Sequence, residues 1–233
     1  MTLSNEVLIR IQEGRKLNPN APKKIIYFVG PSACGKTTKV KTLEKTFGSY
    51  YQYITLEGLS SILGNQPSLF LRNLVDLLTI SEKLINAIQT AEITHQNTIF
   101  VDGHPILSVL LCKAIYTFYD GKVITKKQLN LIMGIYEEIV KDFKYNKNFR
   151  DFQQMVYYIN IPLETNLKLL LNQKRCEEIS NDIKNEFVSF KKIIHSRIFD
   201  LNYQFDNTKV IEVNTLQGLD IIHMYLLGSS GCC

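Results

Sequence analysis

No stretch of apolar residues in this sequence approaches the roughly 18 that a membrane-spanning helix needs. Paired cysteines are also missing. The five present, Cys34, Cys112, Cys176, Cys232 and Cys233, are odd in number and show no CxxC or Cys/His spacing. That pattern argues against a disulfide framework or a zinc site, and it fits a reducing compartment. No Lys/Arg-rich run carries interleaved aromatics, so no nucleic-acid partner is expected. The net charge of +5 favours anionic ligands in general. The opening MTLSNEVLIRIQEGRK has Glu6 and Arg10 inside its apolar stretch and reads as no signal peptide. A soluble cytoplasmic protein is the expectation.

What is present is a chain of 233 residues, 45 % of them hydrophobic, enough to bury a core. Val7, Leu8 and Ile11 at helical spacing suggest a short appended helix over 4–16, ended by NPNAP. Residues 1–22 thus read as an N-terminal extension. Strands are expected at 23–29, 50–57, 97–103, 154–162 and 208–214. Helices are expected at 36–47, 67–92, 105–119, 126–143, 163–172, 182–202 and 216–227. Strands alternating with helices predict an α/β domain over 23–227, a five-stranded parallel sheet with helices on both faces. Ligands of such a sheet bind at the carboxyl ends of its strands. The last residues, 228–233 (GSSGCC), read as a flexible tail, with lipidation of Cys232 and Cys233 as the alternative.

The clearest motif is GPSACGKTT at 30–38, lying between an apolar strand and a helix. Gly30, Gly35, Lys36 and Thr37 satisfy G-x-x-x-x-G-K-[ST], the loop whose backbone N–H groups cradle phosphates. Ser32, Ala33, Cys34 and Thr38 complete the cradle. Lys36 is expected to reach the β- and γ-phosphates, and Thr37 to take a magnesium position. Guanine reading would require N/T-K-x-D after a later strand, and neither IPLETN nor NTLQG supplies it.

Several residues point to a small acceptor molecule. Glu57 follows the second strand, where a carboxylate can take a proton from an acceptor hydroxyl. Asp102 ends the third strand and suits the second shell of a magnesium ion. The polar segment 172–182, NQKRCEEISND, is placed where a lid would close, with Lys174 and Arg175 as cations for the transferred charge. The plain counterparts are a solvated acid at position 57 and a charged surface loop at the lid. His104, before Pro105, reads as a helix cap or packing residue rather than a base.

GPSACGKTT, LEGL, DGHPILSVLLC and QKRCEE together resemble the herpesvirus-type thymidine kinases, in order, over about residues 24–220. The resemblance implies a P-loop nucleoside kinase-like fold with a lid, similar to nucleoside monophosphate kinases. It further implies ATP and Mg2+ as cofactors, phosphorylation of a deoxynucleoside 5′-hydroxyl, and pairing as a homodimer. On this reading Glu57 is the base, Asp102 the magnesium-linked acid, and Arg175 and Glu178 belong to the lid. Glu82 takes the place of the family's base-reading glutamine, with Gln89 as a substitute. Ile62, Lys113 and Tyr116 fall on the acceptor side, Lys113 where the family has a base-stacking aromatic. The family's arginine after the aspartate is Gly103 here, with Lys174 or Lys168 as partial replacements. Restoring arginine at 103 is expected to raise transfer in a weakened kinase. Three functions follow: a deoxynucleoside kinase with altered activity, an ATP-binding homologue acting through partners, or a nucleoside monophosphate kinase.

Overall fold

A computed structural model describes residues 22–31, 34–48, 51–55, 68–172, 181–201 and 207–214. The expected helices at 4–16 and 216–227, the tail, and most of the lid segment lie outside these residues. In chain order the elements are β1 (Lys24–Val29), α1 (Lys36–Phe47), β2 (Gln52–Ile54), α2 (Leu69–Thr94), β3 (Thr98–Asp102) and α3 (Ile106–Phe118). There follow α4 (Lys126–Tyr145), the single turn α5 (Lys147–Arg150), β4 (Gln153–Ile159), α6 (Leu163–Asn172), α7 (Asn181–Ile198) and β5 (Thr208–Val213).

All five strands are parallel, in the order β2-β3-β1-β4-β5. β1 lies at the centre because its residues Ile25 to Val29 are apolar without a break and need cover on both faces. Successive side chains point to opposite faces, so each strand feeds two cores. Ile25, Tyr27, Val29, Ile99, Val101, Val156 and Tyr158 join the larger one, against the inward stripes of α2, α3, α4 and α7. Ile26, Phe28, Phe100, Tyr157 and Ile159 join the other, covered by Val40, Leu43 and Phe47 of α1.

Local signals fix the helix ends. Ser68 Oγ accepts a hydrogen bond from the Leu71 N–H at 3.2 Å, capping α2. Thr125 and Gln128 form a reciprocal capping box on α4. The strand expected over 154–162 stops at Ile159, since Pro162 has no N–H to offer and leads directly into α6. Among the described residues, no helix is long and apolar enough to cross a membrane.

Candidate active site

The carboxyl end of β1 approaches the end of β4 very closely. A Cβ on Gly30 would stand 2.8 Å from the Ile159 carbonyl oxygen and 2.9 Å from Cys34 Sγ, so only glycine fits there. Gly35 then turns the chain at φ 89° into α1. As the N-cap it brings no side-chain acceptor, so the first N–H groups of α1 are not taken up by a side-chain cap. Those donors and the positive end of the helix form an anion site in the turn after β1.

Lys36 lies over this turn. Its Nζ donates to the carbonyl oxygens of Gly30 at 3.0 Å and Pro31 at 2.7 Å. The Cys34 thiol is 3.5 Å from the same ammonium. Burial raises the Cys34 pKa, while Lys36 opposes that shift, so this cysteine acts as packing under the loop.

Asp102, the last residue of β3, accepts a hydrogen bond from Thr37 Oγ1 in the first turn of α1. The register explains the meeting: Phe28 pairs with Asp102, so the carboxylate emerges beside the start of the phosphate loop. Gly103 follows at φ 107°, a backbone region that side-chain-bearing residues rarely enter, and its N–H donates to the Phe28 carbonyl at 2.9 Å. The glycine found where the kinases that the sequence resembles are expected to carry arginine is thus built into the loop's path.

His104 is buried, with its ring edge-on to Tyr27 at 4.5 Å, and its Nδ1 accepts from the Ile106 N–H at 3.2 Å. Burial lowers its pKa to about 3. The ring is neutral and caps α3, in accord with the packing role read from the sequence.

Of the residues picked out by sequence, Ser32, Ala33, Glu57, Ile62, Lys174, Arg175 and Glu178 lie outside the described residues. Gly30, Cys34, Gly35, Lys36, Thr37, Thr38 and Asp102 gather at one sheet edge. Lys168, on α6, is exposed.

Glu82 and Gln89, expected at the base-reading position, both lie on α2. They are seven residues apart and so share one stripe of α2, which is exposed. The packed stripe is formed by Leu77, Ile80, Leu84, Ala87, Ile88 and Ala91. Gln89 also lies toward Glu92, whose ion pair with Lys23 sits at the opposite, amino-terminal edge of the sheet. Lys113 and Tyr116 are half-buried on α3, about 10 and 15 Å along the helix axis from Ile106. Tyr116 packs at the far end of α3, where the Lys126 ammonium lies 5.7 Å from its ring centroid.

Lys83 escaped the sequence reading. Its Nζ donates at 2.7 Å to the carbonyl of Thr55, the residue directly after β2. Its place beside Ile80, Leu84 and Ala87 in the helical repeat was the available signal.

Comparisons with known proteins agree on the fold. Residues 11–67 match the model of the Rad17 P-loop domain, less than half of the chain. A search of the curated proteins gives no match. Among solved structures, a deoxyadenosine kinase from M. mycoides with dCMP and dCDP bound superposes with a TM-score of 0.54 at 17 % identity, covering 87 % of this chain and 98 % of that one. The same kinase with dATP bound gives 0.53 at 17 % identity, covering 87 % and 98 %. A thymidylate kinase from Candida albicans gives 0.53 at 12 % identity, covering 90 % and 93 %. The five-stranded parallel sheet, its flanking helices and the phosphate turn therefore form the fold shared by these P-loop nucleoside and nucleotide kinases.

Proposed function

We propose that the chain is an ATP-dependent kinase that moves a phosphoryl group to the 5′-hydroxyl of a deoxynucleoside, thymidine-like in class, as in the herpesvirus-type thymidine kinases. The observation that carries this reading is the hydrogen bond from Thr37 to Asp102 at the anion-binding end of α1. It joins a hydroxyl and a carboxylate where the β- and γ-phosphates of a cradled triphosphate would end. Hard oxygen donors of this kind fit magnesium, which usually takes one or two protein oxygens and completes its shell with phosphates and water. Thr37 would hold the ion with Asp102 beside it. When bound, magnesium would withdraw charge from the phosphate oxygens.

The remaining work belongs to the chain. Backbone N–H groups of Lys36, Thr37 and Thr38 hold the phosphates. Lys36 exchanges its carbonyl partners for phosphate oxygens, an ammonium–anion contact stronger than the one it leaves. Glu57, three residues beyond the end of β2, takes the proton of the 5′-hydroxyl, and Arg175 meets the charge spreading over the transferred group. Closure of the lid segment excludes water and so limits hydrolysis of ATP. Ile62 and Glu178 line the acceptor side of this proposal. A homodimer belongs to the same proposal and is read by sedimentation equilibrium.

A nucleoside monophosphate acceptor is the second reading, supported by a likeness to thymidylate kinase almost equal to that with deoxyadenosine kinase. Thermal shift with ATP and magnesium, then with deoxynucleosides and their monophosphates, tests both. Stabilisation by deoxynucleosides on top of ATP supports the first reading, and stabilisation by monophosphates alone supports the second. ATP stabilisation with no response to either class leaves a nucleotide-binding protein that acts through partners.

A further inference from the structure

α2 is anchored to the sheet at two heights. Near its end, Glu92 pairs with Lys23, which directly precedes β1 and lies level with the start of β3. Nine residues earlier, Lys83 bonds the Thr55 carbonyl. Nine residues of helix rise about 13.5 Å. The four steps from Thr98 to Asp102 span about 13 Å of strand. The two agree to within about one residue, which puts Lys83 near the level of Asp102.

Strand register brings the same result. Ile54 pairs with Val101, so Thr55 comes abreast of Asp102 and the Asp102–Gly103 peptide, one strand spacing of about 4.8 Å away. The Lys83 ammonium is therefore held at the carboxyl edge of β2 and β3, the position where Gly103 offers no side chain. Its approach is from the α2 face of the sheet, whereas Thr37 and the phosphate turn flank Asp102 from α1.

The chemistry of the position is specific. An ammonium has three N–H donors, and the Thr55 carbonyl is a neutral acceptor that leaves the positive charge uncompensated at that contact. Lys83 is half-buried, which weakens the screening of its charge by solvent. The φ of 107° at Gly103 disfavours an arginine at the same strand end, which leaves a neighbouring element as the less strained source of charge at this edge.

We infer that Lys83 is the acceptor-side cation of the site, placed by the Thr55 carbonyl beside the end of β3 to bind anionic phosphoryl oxygens. This rests on the kinase reading above. The oxygens have two sources, the group in transfer or a phosphate already on the acceptor, and the experiment separates them.

Lys83→Gln keeps an amide that can donate to the Thr55 carbonyl but carries no charge, and Lys83→Arg keeps the charge. Steady-state transfer from ATP is followed over a range of acceptor concentrations for the unaltered protein and both variants, with a deoxynucleoside and with its monophosphate. Melting temperatures are recorded with and without ATP. The expected result is that Lys83→Gln melts like the unaltered protein, is stabilised by ATP to the same extent, and transfers about 10²-fold or more slowly. Lys83→Arg stays within about tenfold of the unaltered protein. A loss in kcat with the deoxynucleoside assigns the contact to the group in transfer. A rise in KM confined to the monophosphate assigns it to the acceptor's own phosphate.

Transfer by Lys83→Gln at the unaltered rate with both acceptors overturns the inference and leaves the kinase reading standing. So does equal loss in Lys83→Gln and Lys83→Arg with a matching fall in melting temperature, which is the signature of a mere tether. Absence of transfer by the unaltered protein to either acceptor overturns the kinase reading, and the role of Lys83 with it.

Discussion

Thr37 and Asp102, 65 residues apart in sequence, share a hydrogen bond that ties the first turn of α1 to the last residue of β3. The contact makes the phosphate turn and the central sheet one unit, because Asp102 is buried and its acceptor atom needs a donor. Thr37→Val removes that donor while keeping the shape of the side chain. The expected cost is about 1.5–3 kcal/mol, the range for hydrogen bonds to charged groups. Urea denaturation without nucleotide measures it, and ATP with magnesium should then stabilise the variant much less than the original.

Gly30→Ala tests the close approach of β1 to β4. The added methyl meets the Ile159 carbonyl at 2.8 Å, backbone against side chain, with Cys34 Sγ on its other side. Overpacking of this kind costs about 1–3 kcal/mol. The melting temperature should fall, and the displaced loop should lose most of its stabilisation by ATP.

Gly103→Arg carries the expectation that changes most between sequence and structure. At φ 107° an arginine pays backbone strain of roughly 1–3 kcal/mol, or the loop moves and gives up the bond from the Gly103 N–H to Phe28. The variant should melt lower and show no gain in transfer. A faster enzyme of unchanged stability would mean that the loop accepts a side chain freely.

His104 makes stability depend on pH. Its folded pKa is lowered to about 3 by burial, against 6.5 for the free side chain. The unfolded chain therefore binds more protons between these values. The stability from this group is present above 6.5 and is lost as pH falls toward 3. Between pH 7 and pH 5 the loss is about 2 kcal/mol. Urea midpoints at the two pH values measure it, and His104→Asn, which can still accept from the Ile106 N–H, should remove most of the slope.

Much of the fold was legible because its local signals agree. β1 is an unbroken apolar run, α1 is introduced by a glycine turn, and α4 begins at a capping box, so these elements fall within a residue or two of their expected bounds. The cradle residues and Asp102 were legible for the same reason: each stands at a strand end, and a parallel sheet brings its strand ends to one edge. What escaped depends on contacts made at a distance. The bond from Lys83 to Thr55 spans 28 residues and joins a helix to the edge strand. Glu82, its neighbour and the residue the sequence offered for reading a base, lies on the exposed stripe with Leu78 and Ile85. A rotation of one residue, about 100° around the helix, separates the two. The strained φ of Gly103 leaves no trace in composition or spacing, since a glycine after an aspartate suits many turns.

The fate of the terminal phosphoryl group decides whether the chain is a kinase. ATP labelled at the γ position is incubated with magnesium, a panel of deoxynucleosides, and either the unaltered protein or Glu57→Gln. Label is expected on the 5′ oxygen of a deoxynucleoside, at a rate that falls by roughly 10²–10⁴-fold in Glu57→Gln while stabilisation by ATP is unchanged. Label appearing only as inorganic phosphate, or on the 5′ oxygen equally fast with and without the Glu57 carboxylate, contradicts this expectation.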